Sequence, residues 1–217
     1  MSENLKSESE QQDNNSVEEA EVKVESFQSF VFEMVKVLFI SLLIIVPIRA
    51  YVVQPFYVDG ASMEPNFYDG EYLIVDEISY RFQNPQRGDI VVFHPPSNPK
   101  VYYIKRIIGL PGEVVDIQNG QIKVYEKDSI EPLFMDESEY LTAEYALRAS
   151  EKYHVSLEYD EYYLLGDNRP NSLDSRRFGP IPRDHIKGKV VLRAFPFDRF
   201  GGMTRPDYSN ENNFSNN

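Results

Sequence analysis

"VYYIKRIIGLPGEVVDIQNGQIKVY", Val101 to Tyr125, is the stretch on which the fold reading turns. It is rich in Val, Ile and Tyr and breaks at turn residues into short apolar or alternating runs, the pattern of β-strands. Asn119-Gly120 falls between two such runs, and Asn-Gly suits a two-residue hairpin because both positions take positive φ. Working outward, "EYLIVDEI" (71–78), "GDIVVFHP" (88–95), "EYYLLGD" (161–167) and "GKVVLRAF" (188–195) have the same character. Helical pattern is weak, and "ESEYLTAEYALRASEKY", Glu137 to Tyr153, is the one candidate. The expected fold is therefore mostly β, with an acidic insertion near 126–161 and no internal repeat.

The chain of 217 residues is long enough for one domain with a sizeable core plus tails. It contains no cysteine, which removes disulfide frameworks, thiolate metal sites and cysteine nucleophiles. The net charge of -13 is unevenly spread: residues 1–33 hold nine acidic and two basic side chains (-7), and 126–161 hold eleven and three (-8). The remainder is left at +2. Residues 1–33, filled out with Ser, Gln and Asn, read as a disordered acidic tail. The Gly-, Asn- and Ser-rich end, 201–217, reads as a second disordered tail. No basic stripe interleaved with aromatics is present, which disfavours a nucleic-acid partner.

"VFEMVKVLFISLLIIVPIRAYVVQPF", Val31 to Phe56, holds the long apolar run, uninterrupted over the 12 residues Val37 to Ile48. A buried core helix, a cleaved signal peptide and a spanning anchor all compete for it. Leu, Ile, Val and Phe on every side argue against an amphipathic core helix. The acidic region before it, with no small-x-small site closely after, argues against a signal peptide. An anchor over 34–53 is favoured, because Lys36 and Arg49 can lift their charges to the two interfaces and extend the span to about 20 residues. Pro47 would kink only its last turn. Lys6, Lys23 and Lys36 precede the span, a weak bias that puts the N-terminus in the cytoplasm and the rest, 54–200, on the outer side of the membrane.

Three small patterns carry no function. "RGD", Arg87 to Asp89, reads as a turn leading into the strand "IVVF". "NFS" at Asn213 is a glycosylation sequon by spelling alone. His94, His154 and His185 stand far apart without ligand spacing, so no metal site is expected.

Ser62, in "DGASMEPNF" (59–67), emerges about nine residues past that span. A serine nucleophile needs a neighbouring base that is unprotonated at working pH. No histidine lies in a recognisable catalytic setting, but burial can lower a lysine from about 10.4 by up to about 3–5 pH units. Lys105, flanked by Tyr102, Tyr103, Ile104, Ile107 and Ile108, is the lysine embedded in apolar sequence. Strand alternation puts Lys105 and Tyr103 on one face and Ile104 and Arg106 on the other. One of the two cations needs a partner. "LLGDNRPNSLDSRRFGPIP", Leu164 to Pro182, is dense in the small polar groups that could orient an amine and neutralise a neighbouring cation.

The apolar span followed in order by "GASMEP", "RGDIVVF", "YYIKRIIGLPGEVV" and "GDNRPNSLDSR" resembles the bacterial type I signal peptidases, membrane-bound Ser/Lys proteases that remove signal peptides from exported proteins. The likeness runs from about Val35 to Phe197 and leaves out the acidic tail, the insertion around Ser129 to Tyr159 and the C-terminal tail. It implies an antiparallel, mostly β fold of the signal-peptidase (LexA-like) type behind an N-terminal transmembrane helix. By resemblance Ser62 is the nucleophile, Lys105 the general base, and Ser172 the serine whose hydroxyl holds the lysine amine. Arg106, Asp167, Asp174 and Arg176 resemble the family's bracing ion pairs.

The resemblance also implies an extended substrate beside 56–60 and 102–104, with Phe56, Val58, Met63, Phe67, Tyr103 and Ile104 forming a pocket wall for small side chains. Gly60 departs from one branch, in which a serine hydroxyl at this place serves the oxyanion hole. The implied partners are signal-peptide-bearing pre-proteins and the lipid bilayer, with no cofactor. Two rivals stay open on these residues. One is a membrane-anchored β module that binds exported chains without cutting them. The other is a Ser/Lys protease of a dedicated precursor or of itself, as in repressor-type relatives, although the membrane span argues against the repressor version.

Overall fold

The computed structural model describes residues 29–46, 53–127, 129–206 and 208. Of the tail expected over 1–33, residues 1–28 lie outside the described residues, as do Pro47 and the Asn213 sequon, while 29–33 are helical rather than disordered. The chain divides into two units, 1–50 and 51–217. The first contains helix α1 (Ser29–Val46), whose 18 residues are long and apolar enough to cross a membrane. At about 1.5 Å per residue it extends about 27 Å, close to the hydrocarbon thickness of a bilayer. It starts at Ser29, ahead of the expected residue 34.

The second unit is antiparallel β throughout. Its strands are β1 (Val53–Tyr57), β2 (Tyr72–Asp76), β3 (Ile90–Phe93), β4 (Tyr103–Gly109), β5 (Val114–Gln118), β6 (Gln121–Tyr125), β7 (Leu133–Phe134), β8 (Tyr153–Ser156), β9 (Glu161–Leu165), β10 (Ile181–Pro182), β11 (Ile186–Phe195) and β12 (Gly201–Gly202), with short helices α2 (Ser79–Phe82) and α3 (Ser175–Phe178). One sheet runs β1-β2-β11-β3-β4-β9-β10 with β12 paired to β11, and the other runs β7-β6-β5-β8. The Asn119-Gly120 hairpin closes β5 on β6 with Gln118 opposite Gln121, and both turn residues have positive φ, 54° and 77°.

Strand β3 is buried on both faces, which is why it reads as a continuous apolar run rather than an alternation. Ile90 and Val92 pack with Val58, Met63, Phe67, Leu73, Val75 and Val190. Val91 and Phe93 face the other way, onto Tyr80, Ile107, Leu164 and Ile181. The smaller sheet has its own core, in which Val115, Ile117, Ile122 and Val124 meet Ile108, Leu157 and Tyr163.

Two expectations give way. Glu137 to Tyr153 is not a helix but a strap of turns that ends in β8. Leu141 and Leu147 are buried, and Glu137 and Glu151 are committed to separate arginines, so tertiary partners override the local helical tendency. The C-terminal segment is ordered at its start: Gly201–Gly202 pairs with Leu192 and Arg193 of β11, and Tyr208 is buried in the core of the smaller sheet. "RGD" is a structural turn, with Arg87 bound to both oxygens of Glu113 and Asp89 buried against Tyr80 and Lys189.

Phe67 is 1% exposed and sits at the centre of its cluster. Phe67→Ala is expected to lower the unfolding free energy by about 3–5 kcal/mol, read from denaturant unfolding of the full chain.

Candidate active site

The turn 58–71 that carries Ser62 is tied down at both ends. Val58 N–H donates to Glu71 O at 2.9 Å, and Gly70 N–H returns to Val58 O at 3.0 Å. Inside it, Met63 O accepts from the N–H groups of Asn66 and Phe67 at 3.0 and 2.8 Å. Met63 and Phe67 point into the core, so they anchor the turn rather than forming the pocket wall expected of them. Their apolar character is the same in either role, and burial decides between the two. Gly60 has φ +92°, a conformation glycine adopts without strain, and its N–H is engaged by Asp69 Oδ1 at 2.8 Å. A Cβ at Gly60 would meet nothing within 4 Å, so backbone conformation and not crowding is what favours glycine there.

Lys105 lies on β4 opposite Val91 of β3, and is 3% exposed. Its Nζ is 2.7 Å from Ser62 Oγ and 2.7 Å from Ile104 O. The amine also stands 5.7 Å from the Tyr103 ring centroid, on the shared face that alternation requires. Burial is the largest influence on this amine and pushes its pKa down to about 8; the Asp174 and Asp167 carboxylates pull upward, and Arg176 adds to the fall. A lysine in this position is neutral in a large fraction of molecules at mildly alkaline pH.

The bracing residues form two buried ion pairs. Arg106 Nε and Nη2 donate to the two oxygens of Asp167 at 2.8 and 2.6 Å. Burial alone would depress the Arg106 guanidinium, but Asp167 more than reverses this and holds its pKa above the ordinary value. Asp167 also accepts from Asn66 Nδ2 at 2.8 Å, linking the pair to the Ser62 turn. Arg176 Nε and Nη2 donate to the two oxygens of Asp174, each at 2.8 Å. Burial would raise the Asp174 carboxyl, yet the Arg176 hydrogen bonds and charge bring it below the usual carboxylate range. Leaving one member of such a pair buried alone costs about 3–5 kcal/mol.

Ser172 is beside this machinery but does not hold the lysine. Its Oγ is buried without a hydrogen-bond partner, near enough to Asp174 to favour that carboxylate but not in bonding geometry with it. Gly166 makes the close packing here possible, since a Cβ on it would fall 2.5 Å from Ser62 O and 2.6 Å from Ser172 Cβ. Gly166 and Asn168 fall within the block "GDNRPNSLDSR", but neither is among the site residues expected from the sequence. Asn168 N–H donates to Ser62 O at 3.1 Å, and its Nδ2 donates to Ala61 O at 3.0 Å. No backbone acceptor for the Ser62 N–H is found among the described residues.

Ser62 and Lys105 sit at a cleft of about 220 Å³ lined also by Phe56, Tyr57, Val58, Asp59, Leu73, Val92, Tyr102, Tyr103, Ile104 and Leu173. Four of the six expected wall residues are among them, and Met63 and Phe67 are not. The Phe56 and Tyr102 rings meet edge to face at 5.1 Å. Among the described residues, strand β1 is hydrogen-bonded on one side only, to β2. Strand β9 pairs with β4 from Arg106 onward, which leaves Tyr103 to Lys105 without a strand partner on that edge among the described residues.

The chain is similar to known proteins over most of its length. The family model described as signal peptidase, peptidase S26, matches residues 31–195. The probable signal peptidase I-2 of Synechocystis sp. is 37% identical over 177 residues, covering 79% of this chain and 77% of that protein. The signal peptidase I of Leptolyngbya laminosa is 35% identical, covering 80% and 84%, and the signal peptidase IB of Staphylococcus aureus is 34% identical, covering 77% and 91%. Among solved structures, a signal peptidase I of Enterococcus faecalis V583 is 26% identical with a TM-score of 0.41, covering 50% of this chain and 98% of that one. The family match extends from α1 to the end of β11, and relatives stay above a third identical across most of the chain, so this chain belongs to the signal peptidase family, peptidase S26.

Proposed function

We propose that the chain is a membrane-anchored serine endopeptidase that removes signal peptides from exported pre-proteins after a small-x-small site, through a Ser62/Lys105 dyad. The observation that carries this reading is the 2.7 Å approach of a buried lysine amine to Ser62 Oγ at the end of an apolar cleft. Neutral Lys105 takes the Ser62 hydroxyl proton as Oγ bonds to the scissile carbonyl carbon. The Ser62 N–H stabilises the oxyanion. When the tetrahedral intermediate collapses, the C–N bond breaks and the Lys105 ammonium returns the proton to the leaving nitrogen. The signal peptide is then held as an ester on Ser62. Lys105 next deprotonates a water, which attacks the ester carbonyl, and Ser62 Oγ recovers its proton as the signal peptide leaves.

The open edges of β1 and β4 flank the cleft, so an extended substrate adds a strand there, main-chain pairing fixes its register and the narrow apolar wall favours small side chains. Helix α1 is the anchor, with the N-terminus cytoplasmic and the 54–200 domain on the outer side. Enzyme and substrate are then both held to one membrane, which raises their effective concentration for each other. In this reading Arg106, Asp167, Asp174 and Arg176 hold the charge balance around the lysine.

The direct test is cleavage of a peptide with an Ala-x-Ala site by the full chain in detergent micelles. Ser62→Ala and Lys105→Ala are each expected to lower kcat by about a thousandfold or more. Cleavage at the wild-type rate by either variant would sink the dyad. The pH dependence is set by the lowered Lys105 pKa. Because the neutral amine is the reactive form, log(kcat/KM) should rise by about one per pH unit up to about 8 and level off above it. A profile that is flat from acid to alkaline pH would point to a different base.

A further inference from the structure

The acidic segment 126–161 looks like a solvated appendage by composition, yet three of its side chains reach arginines of the site. The Glu137 carboxylate accepts Arg169 Nη1 and Nη2 at 2.6 and 2.5 Å. Glu151 Oε2 accepts Arg176 Nη1 at 2.7 Å. The Tyr140 ring lies 4.0 Å from Arg106 Cζ. The backbone joins them: Tyr145 O accepts from Arg169 N–H at 3.0 Å, and Tyr140 O accepts from Asn66 Nδ2 at 3.0 Å.

Both arginines are positioned to pass this grip on. Arg169 has no exposed side-chain surface, follows Asn168 directly, and donates through Nε to Gly166 O at 2.8 Å. It therefore fixes the turn from which Asn168 holds the backbone carbonyls of Ala61 and Ser62. Arg176 binds both oxygens of Asp174 and also donates to Arg169 O at 2.7 Å, so the two arginines are coupled. Asp174 in turn accepts from Gly166 N–H at 3.1 Å. An exposed ion pair could be removed with little effect. A bidentate clamp on a fully buried guanidinium cannot, because its loss strands the charge.

We propose that Glu137 and Glu151 are positioning residues for the reaction, clamping Arg169 and Arg176 so that the Gly166–Arg176 loop keeps the Ser62 turn and Asp174 in register with Lys105. This rests on the Ser62/Lys105 reading above. It gives the acidic segment a part in the chemistry from outside the cleft. The charged groups acting on Lys105 are Asp174, Asp167 and Arg176, with Arg106 on its own strand paired to Asp167. Arg176 favours the neutral amine, and Glu151 offsets part of that cation. Neutralising Glu151 therefore shifts the acid limb of the rate profile to lower pH, an effect that simple loosening of the fold would not produce.

The test compares full-length wild type with Glu137→Gln, Glu151→Gln, Glu144→Gln and Ser62→Ala in micelles on the Ala-x-Ala peptide, with unfolding midpoints measured alongside. Glu144→Gln removes the same charge from the same segment without touching either arginine. Glu137→Gln is expected to lower kcat by about tenfold to a hundredfold with KM within about twofold, as a misplaced nucleophile would. Glu151→Gln should lower kcat less and move the acid limb down, while Glu144→Gln matches wild type. If Glu137→Gln does not fold, Glu151→Gln decides alone through its acid limb. Folded Glu137→Gln and Glu151→Gln with wild-type kcat and pH profile, beside an inactive Ser62→Ala, would overturn the clamp and leave the dyad standing. An equal loss in Glu144→Gln would also overturn it, in favour of a bulk charge effect. Full activity in Ser62→Ala would instead remove the dyad, and the clamp with it.

Discussion

Bringing the Lys105 amine out of water and within 2.7 Å of Ser62 Oγ is the constraint to which the surrounding structure answers. An ammonium at this depth is penalised by lost hydration, which lowers its pKa towards the working range of a general base. The same burial makes every other charge nearby expensive unless it is paired. Arg106 and Asp167, and then Asp174 and Arg176, are accordingly matched two by two in bidentate contacts.

That arrangement depends on the sheet. Strand β4 places Lys105 and Arg106 on opposite faces, so one cation meets the serine while the next meets its own carboxylate. Strand β3 is wholly apolar beside it, which supplies the dry wall. The Ser62 turn is held by Met63 and Phe67 from within and by Asn168 from the neighbouring loop. Gly166 allows that loop to come close enough, because any side chain there would displace Ser62 or Ser172.

Much of this was legible in the sequence. Each apolar run read as a strand forms one, and Asn119-Gly120 makes the hairpin its positive φ values allow. Ser62 and Lys105, 43 residues apart, meet as expected, since the apolar neighbours in "YYIKRII" mark that lysine for burial. Less visible were features set by tertiary partners. Met63 and Phe67 have the composition of a pocket wall and of a core alike. Glu137 to Tyr153 has helical residues, but its carboxylates are drawn to Arg169 and Arg176, and the strap bends to reach them. Gly201–Gly202 and Tyr208 lie in a low-complexity end that gains order from β11 and the smaller core.

The proposed mechanism stands on the protonation of one amine, which can be observed directly. With lysine labelled at Cε with carbon-13, an NMR titration of the full chain in micelles, assigned through Lys105→Arg, follows that amine alone. The account predicts a midpoint at about 8 for Lys105. A midpoint near the ordinary 10.5 would contradict it, because the amine would then be an ammonium throughout the working range and could take no proton from Ser62.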